Sequence, residues 1–207
     1  MSYEADAAAA AGAVSRSLVP VTKPPIPVLP KKGCIQYAMG PDGLGMNISA
    51  TALPDAEGRV YLSGPILGET YESARYGWRK LVALQLLPGI QVLSPMRHEG
   101  HLAETVGVIG DDQPAHFFAG ARIIVEKDML DIRRCDLVLV NLLGATKVSI
   151  GTVSEMGMAF AMDKTIITVI EPDNIHQHPF VTETSSLVLD NLDDAIYAIN
   201  SLLSVGI

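Results

Sequence analysis

Cysteine is scarce in this sequence, and long apolar runs are missing. Only Cys34 and Cys135 occur among 207 residues, and no metal-binding or redox spacing joins them, which favours a reducing compartment. No apolar run reaches the roughly eighteen residues of a membrane-spanning helix. The N-terminal residues include acids and lack the basic stretch of a secretory signal. We therefore predict a soluble, cytoplasmic protein with no membrane partner.

Aromatic residues and net positive charge are lacking as well. Aromatic side chains make up 5% of the sequence, and the formal net charge is -8. An acidic surface repels a phosphate backbone, and few aromatic rings are left to stack on single-stranded bases. Polymeric nucleic acid is therefore not the expected partner. A small phosphorylated ligand stays open, because backbone amides can hold one phosphate without net positive charge.

The signatures of several common enzyme classes are absent too. The sequence has no GxGxxG, GxxxxGK[ST], GxSxG or HExxH pattern, which argues against dinucleotide binding, P-loop chemistry, acyl transfer and zinc peptidase chemistry. The histidines are assigned to surface loops, so we predict no metal and no cofactor. They are His98, His101, His116, His176 and His178.

Composition divides the chain into three parts. Residues 1–32 join an alanine-rich stretch to a proline-rich one and predict a flexible tail, because proline cannot donate ladder hydrogen bonds. Residues 33–58 are broken by Pro-Asp-Gly and Pro-Asp-Ala turns and predict an extension with a small hairpin. Residues 59–207 show regular apolar periodicity and predict the folded domain.

In this domain, apolar strands alternate with amphipathic helices. The predicted strands are RVYLSGP, QVLSP, DLVLVNLL, KTIITVIE and SSLVLD, and the predicted helices are ESARYGWRKLVALQLL, GARIIVEKDMLDIRRC, GTVSEMGMAFAMD and NLDDAIYAINSLLS. The alternation predicts an α/β fold with a doubly wound, five-stranded parallel sheet. Ligands bind such sheets beyond the carboxyl ends of the strands, so the loops there hold the candidate residues.

Two of these loops carry small and polar residues. Ser63, Gly64 and Pro65 follow the first strand and lead into a helix, where backbone N–H groups can bind an anion; a tight strand-to-helix turn explains them equally well. In the third loop, Ser149, Gly151 and Thr152 precede a helix that contains Glu155.

Helix capping is one explanation of the third loop. A Ser at a helix start is an N-cap, and an early Glu serves a capping box or the helix dipole. The small Gly157 after Glu155 would instead let a ligand approach closely, which favours a site.

Asp128 and Asp131 lie one turn apart on the preceding helix. Mixed charges around them are typical of a solvated face with local salt bridges. Paired carboxylates at a strand-end cleft would suit glycosidic chemistry, but spacing alone does not pair Asp128 with Glu155, because they lie on different elements.

Three segments, in this order, resemble the nucleoside 2-deoxyribosyltransferase superfamily: VYLSGP, EKDMLDIRRCDLVLVNL and SIGTVSEMGMAFAMDKTIITVI. The resemblance implies a flavodoxin-like, Rossmann-type sheet and cleavage of a nucleoside N-glycosidic bond. By position, Glu155 matches the nucleophile, Tyr61 the phenol that orients it and Asp128 the acid that assists departure of the base. It also implies at least a homodimer, in which a neighbour completes the pocket near Ser185 or Ser186.

One position departs from the pattern of the transferases that act on free nucleosides. They carry Asp six residues before the catalytic Glu, whereas this sequence has Ser149, as in the similar nucleoside 5′-monophosphate N-hydrolases, including cytidylate hydrolases. An Asp there would repel a phosphate, whereas a hydroxyl at a helix N-terminus can donate to it. The alternative explanation is that Ser replaced Asp here without any effect on the choice of substrate.

The resemblance therefore predicts hydrolysis of a (deoxy)nucleoside 5′-monophosphate. Arg97 and His98, in the loop after the second strand, are candidate contacts to the base or the phosphate. Two other functions stay open, namely a 2-deoxyribosyltransferase that exchanges bases and a non-catalytic nucleotide sensor.

Overall fold

The structure, a computed structural model, describes residues 55–104, 107–110, 116 and 120–205. The predicted tail (1–32), most of the predicted extension with its hairpin (33–54) and Cys34 lie outside these residues. The strands are β1 (Asp55–Ala56), β2 (Gly58–Ser63), β3 (Ile90–Leu93), β4 (Leu137–Asn141), β5 (Thr165–Val169), β6 (Leu187–Leu189) and β7 (Ser204–Val205). The helices are α1 (Tyr71–Tyr76), α2 (Trp78–Gln85), α3 (Ala121–Arg134), α4 (Ile150–Ala161), α5 (Pro179–Thr182) and α6 (Leu192–Leu203), with a 3-10 helix at Gly100–Glu104.

A five-stranded parallel sheet in the order β3-β2-β4-β5-β6 confirms the predicted fold class. Strand β4 lies at its centre, and each of its five residues is buried. A continuous apolar strand of this kind is stable only where both faces of the sheet are covered. Helices α3 and α4 pack on one face, and α2 and α6 on the other.

The alternation of side chains along β2 determines which residues reach the candidate site. Val60 and Leu62 pack against α2 and α6, whereas Tyr61 faces α3 and α4. Ser63 points to the same face as Tyr61, because residues two apart on a strand share a face. The last turn of β2 therefore presents two hydroxyl groups to the face that carries α3 and α4.

The helix predicted after β2 as one segment is two helices. Helix α1 ends and α2 begins at Gly77, whose N–H donates to the Ser73 carbonyl at 3.0 Å. A Cβ atom at this position would lie 2.5 Å from the same carbonyl oxygen, so the bend requires glycine. The apolar periodicity runs through the bend, which is why the sequence predicts no break.

Further elements lie where the sequence predicts loops or the extension. Strands β1 and β7 pair antiparallel, so the end of the predicted extension joins the C-terminal end of the domain. Helix α5 and the 3-10 helix lie in segments predicted as loops. Within the part of the chain that the structure describes, no helix is both long and apolar enough to cross a membrane.

Candidate active site

Glu155 lies on α4 and points toward the carboxyl end of β2. Its Oε1 atom accepts a hydrogen bond of 2.7 Å from the Tyr61 hydroxyl, and its Oε2 atom accepts one from the Ser63 hydroxyl. The side chain is buried, with 9% of its surface exposed. In the described residues its hydrogen bonds come from the sheet and not from the amides of its own helix. The capping-box explanation of this acid is therefore wrong.

The surroundings of Glu155 act on its charge in opposite directions. Burial raises the pKa of Glu155, whereas the hydrogen bonds from Ser63 and Tyr61 and the positive charge of Arg79 oppose that rise. Burial and the charge of Glu155 raise the pKa of Tyr61 well above its usual value. Tyr61 therefore stays protonated and acts as a hydrogen-bond donor.

Asp128 is a second buried carboxyl group of this site. It lies on α3 with 8% of its surface exposed, and its Oδ1 atom has no hydrogen-bond partner among the described residues. Burial, followed by the charge of Glu155, raises the pKa of Asp128 to about 7, against the opposing charge of Lys127. The two buried carboxyl groups raise each other's proton affinity through charge repulsion, which favours a state in which one of them carries a proton.

The two predicted acids of α3 are therefore not on a solvated face. Asp131 is fully buried and pairs with Arg97, whose Nη2 atom lies 2.9 Å from both carboxylate oxygens. The predicted local salt bridges are wrong for both acids. Arg97, predicted to contact the substrate, pairs with Asp131 and keeps 33% of its side chain exposed. His98, predicted beside it, is exposed with a left-handed φ of 66°.

Lys127 anchors the loop that carries Arg97 and His98. Its ammonium group donates to the carbonyls of Pro95 at 2.6 Å and Arg97 at 3.5 Å, and to the Glu99 carboxylate. The loop after β3 is thereby held on α3, next to Asp128.

Arg79 is a buried residue that the sequence analysis missed. It has 2% of its surface exposed and donates from Nη1 to the Ala74 carbonyl and from Nη2 to the Gly64 carbonyl, both at 2.9 Å. Its guanidinium lies 4.6 Å from the centre of the Trp78 ring. Burial lowers the pKa of Arg79 to about 10, and the charge of Glu155 acts against this shift.

The Ser63-Gly64-Pro65 turn has a structural role that requires glycine. A Cβ atom on Gly64 would lie 2.7 Å from the Asn141 carbonyl oxygen and 2.9 Å from the Trp78 ring. The ends of β2 and β4 can therefore approach only because Gly64 lacks a side chain. Ser63, predicted to contact the substrate, donates to Glu155.

Ser149 is the N-cap of α4, which confirms the helix-capping explanation of this residue. Its hydroxyl accepts from the Thr152 amide at 3.4 Å and lies 2.9 Å from the Thr152 hydroxyl. A Cβ atom on Gly151 would meet no heavy atom within 4 Å, so the space beside this turn is open. The predicted group of Ser149, Gly151 and Thr152 is thus assembled at the start of the helix that carries Glu155.

His176 braces this turn from the loop after β5. Its Nε2 atom accepts from the Ser149 amide at 2.8 Å, and its Nδ1 atom lies 3.0 Å from the Asn174 Oδ1 atom. The ring is buried, which lowers the pKa of His176 and favours the neutral form with the proton on Nδ1. The prediction of a surface histidine is wrong here.

Ser185 and Ser186 hold contacts within their own chain. The Ser185 hydroxyl lies 2.7 Å from the Thr168 hydroxyl, and the Ser186 hydroxyl accepts from the Ile166 amide. No three His, Cys, Asp or Glu side chains of the described residues are grouped so as to hold a metal.

Comparison with known proteins finds one matching family and several similar solved structures. The family model described as Nucleoside 2-deoxyribosyltransferase matches residues 60–192. Among solved structures, the chain is similar to the CMP N-glycosidase BcmB of Clostridium botulinum, at 18% identity over 69% of this chain and 98% of that one, with a TM-score of 0.42.

Two further structures show a similar degree of likeness. One is BlsM, at 19% identity over 72% of this chain and 90% of that one, with a TM-score of 0.41. The other is a molybdenum cofactor binding protein from Rippkaea orientalis, at 16% identity over 72% and 98%, with a TM-score of 0.44. None of the curated proteins matches the sequence.

Proposed function

The chain belongs to the nucleoside 2-deoxyribosyltransferase family, and from this premise we propose that it hydrolyses the N-glycosidic bond of a (deoxy)nucleoside 5′-monophosphate. The observation that carries the proposal is the carboxylate of Glu155. It is held at both oxygens by Tyr61 and Ser63, at the strand ends where ligands of such sheets bind.

In the first step, an oxygen of the Glu155 carboxylate attacks C1′ of the sugar. The C1′–N bond breaks, and its electron pair leaves with the base. The base is a poor leaving group as an anion, so it takes the proton of Asp128 as it departs. A pKa near 7 suits Asp128 to this task, because the group is protonated in part of the molecules at neutral pH.

In the second step, water attacks C1′ of the glycosyl ester. Its proton returns to the ionised Asp128, the bond between C1′ and the Glu155 oxygen breaks, and the electron pair returns to the carboxylate. The products are the free base and the sugar 5-phosphate, and both carboxyl groups regain their starting states. The phenol of Tyr61 keeps Glu155 in place throughout, because its own pKa is far above neutral.

The choice of a nucleotide over a nucleoside rests on the turn before Glu155. Ser149 stands where the transferases of free nucleosides have Asp, so the turn adds no negative charge of its own. Its hydroxyl lies at the N-terminus of α4, where the helix dipole favours an anion. The open space beside Gly151 leaves room for the phosphate.

Base exchange is the second candidate function, because the family is named after that reaction. Transfer uses the same residues and differs only in whether water or a second base attacks the glycosyl ester. A non-catalytic nucleotide sensor is the third candidate, and it would bind the nucleotide without releasing the base.

A base-release screen over the common nucleosides and their 5′-monophosphates tests the proposal, with Glu155→Gln as the inactive control. We expect release from one or more monophosphates and none from the variant. Release from nucleosides alone would overturn the assignment of Ser149. Adding a second free base and finding an exchanged nucleotide would favour transfer, and tight nucleotide binding without base release would favour the sensor.

A further inference from the structure

We propose that Arg79 is a positioning residue of this site, whose guanidinium serves as the counter-charge of the Glu155 carboxylate and holds the turn that carries Ser63. The inference rests on the proposed role of Glu155 as the nucleophile. Arg79 is the buried cation of α2, and neither step of the proposed reaction uses it.

The first argument is the burial of the Arg79 charge. A buried cation is strongly destabilising unless an opposite charge compensates it. Its hydrogen bonds go to the carbonyls of Ala74 and Gly64, which are neutral, and its Nε atom has no partner among the described residues. Of the negative groups that act on Arg79, Glu155 has the largest effect. We therefore assign Glu155, which is linked to Arg79 through Gly64 and Ser63, as its main counter-charge.

The second argument is the same relationship seen from Glu155. The groups that face this carboxylate are Tyr61 and Ser63 from β2, Asp128 and Lys127 from α3, and Arg79 from α2. Two of them are cations. Arg79 has the larger effect on Glu155, and Lys127 is already bonded to the Glu99 carboxylate. Arg79 is thus the cation available to balance Glu155.

The third argument is geometric. Arg79 donates to the carbonyl of Gly64, the residue after Ser63, and Ser63 donates to Glu155. The turn at Gly64 packs closely on the end of β4, because a Cβ atom there would meet the Asn141 carbonyl and the Trp78 ring. Arg79 thereby helps to position the Ser63 hydroxyl, and this hydroxyl in turn positions the Glu155 carboxylate.

The position of Arg79 has a consequence for the reaction. When Glu155 forms the glycosyl ester, its negative charge is lost and Arg79 is left without its main counter-charge. Breaking the ester restores the charge, since the electron pair of the C1′–O bond returns to the carboxylate. Arg79 therefore favours the second step, in which water or another acceptor attacks C1′.

The first test compares pH profiles of kcat/KM for base release in the wild type, Arg79→Met and Arg79→Lys. The acidic limb reports protonation of Glu155. We expect this limb to move up by about one pH unit in Arg79→Met and to stay near its wild-type position in Arg79→Lys, which keeps the charge. An unmoved limb in Arg79→Met, with a lower rate at every pH, would reduce Arg79 to a structural residue and overturn the proposal.

The second test needs no activity and separates this proposal from the proposed function. Melting temperatures are measured at pH 8 for the wild type, Arg79→Met, Glu155→Gln and the double variant. If Glu155 is the counter-charge, Arg79→Met lowers the Tm more in the wild type than in the Glu155→Gln background, by roughly 2–6 °C. Equal losses in the two backgrounds would overturn the proposal.

The two tests together also decide the case of a protein that releases no base. Absence of activity in the wild type would refute the proposed function, while unequal Tm losses would still support the pairing of Arg79 with Glu155. If Arg79→Met does not fold, Arg79→Gln, which is neutral and keeps amide donors, takes its place in the cycle. Glu155→Gln should then lower the Tm less in Arg79→Gln than in the wild type, and equal losses would overturn the pairing.

Discussion

The Tyr61 phenol and the Glu155 carboxylate are 94 residues apart in the sequence and 2.7 Å apart in the structure. Two features of the fold bring them together. Strands β2 and β4 are neighbours in the sheet, and α4 returns over the face toward which Tyr61 points. The central hydrogen bond of the site is thus a product of strand order and of the two-residue alternation along β2.

Tyr61→Phe removes the phenol from this pair and leaves the ring in the core. A hydrogen bond to a charged group contributes about 1.5–3 kcal/mol, so we expect kcat/KM for base release to fall by roughly 10- to 100-fold. Tyr197→Phe, on the exposed face of α6, is the matched control and should leave the rate unchanged. Equal rates for Tyr61→Phe and the wild type would show that Glu155 needs no orienting donor.

Asp128→Asn removes the proposed acid while keeping the size of the side chain. We expect kcat to fall by about 10²- to 10⁴-fold, the usual contribution of general acid catalysis. The wild-type rate should decline as the pH rises through about 7, because Asp128 then loses its proton. That basic limb should be missing from the residual activity of Asp128→Asn and present in the control Asp193→Asn, a change on the exposed surface of α6.

The sequence predicts the sheet well, because each strand can be recognised from a local run of apolar residues. The buried run at 137–141 and the regular alternation with helices suffice for the topology. Glu155 and Tyr61 are found through motifs that accompany the fold. Neither inference requires knowledge of which side chains meet.

Burial and the contacts between helices could not be predicted in this way. Arg79 stands in an amphipathic segment where an arginine is typical of a solvated face, yet it is buried and donates to the carbonyls of Ala74 and Gly64. His176 looks like a loop residue and is buried because its loop closes on the start of α4. In both cases the burial results from packing between elements that are distant in the sequence, and local periodicity gives no information about such packing.

Ser149→Asp tests the basis of the proposed nucleotide preference with little risk to the fold. Aspartate caps a helix as well as serine does, so α4 should keep its N-terminus and the Tm should change little. The added negative charge should lower kcat/KM for a 5′-monophosphate by about 10-fold or more and leave that for the matching nucleoside less affected. Ser149→Asn, an equally good but neutral cap, is the control. Equal losses for the two variants would mean that charge at this turn does not select the substrate.

His176→Leu tests whether the loop after β5 braces the turn at Ser149. The change leaves the Ser149 amide without its acceptor, and an unpaired buried donor costs about 1–3 kcal/mol, so we expect a Tm lower by roughly 2–10 °C. His176→Gln can offer an acceptor oxygen in the same direction and should keep most of the stability. His178→Asn, on an exposed histidine of the same loop, is the control for the general effect of a change there.

The pH dependence of the Tm provides the second readout of the same histidine. Burial depresses the pKa of His176 below its usual value of 6.5, so the unfolded chain binds this proton more strongly than the folded one. The stability that His176 contributes is therefore complete above about pH 6.5 and is lost as the pH falls below it. In His176→Gln this part of the acid loss should disappear, because glutamine does not titrate. If the variant and the wild type lose Tm in parallel from pH 7 to 5, the bond between His176 and the Ser149 amide does not depend on a neutral ring.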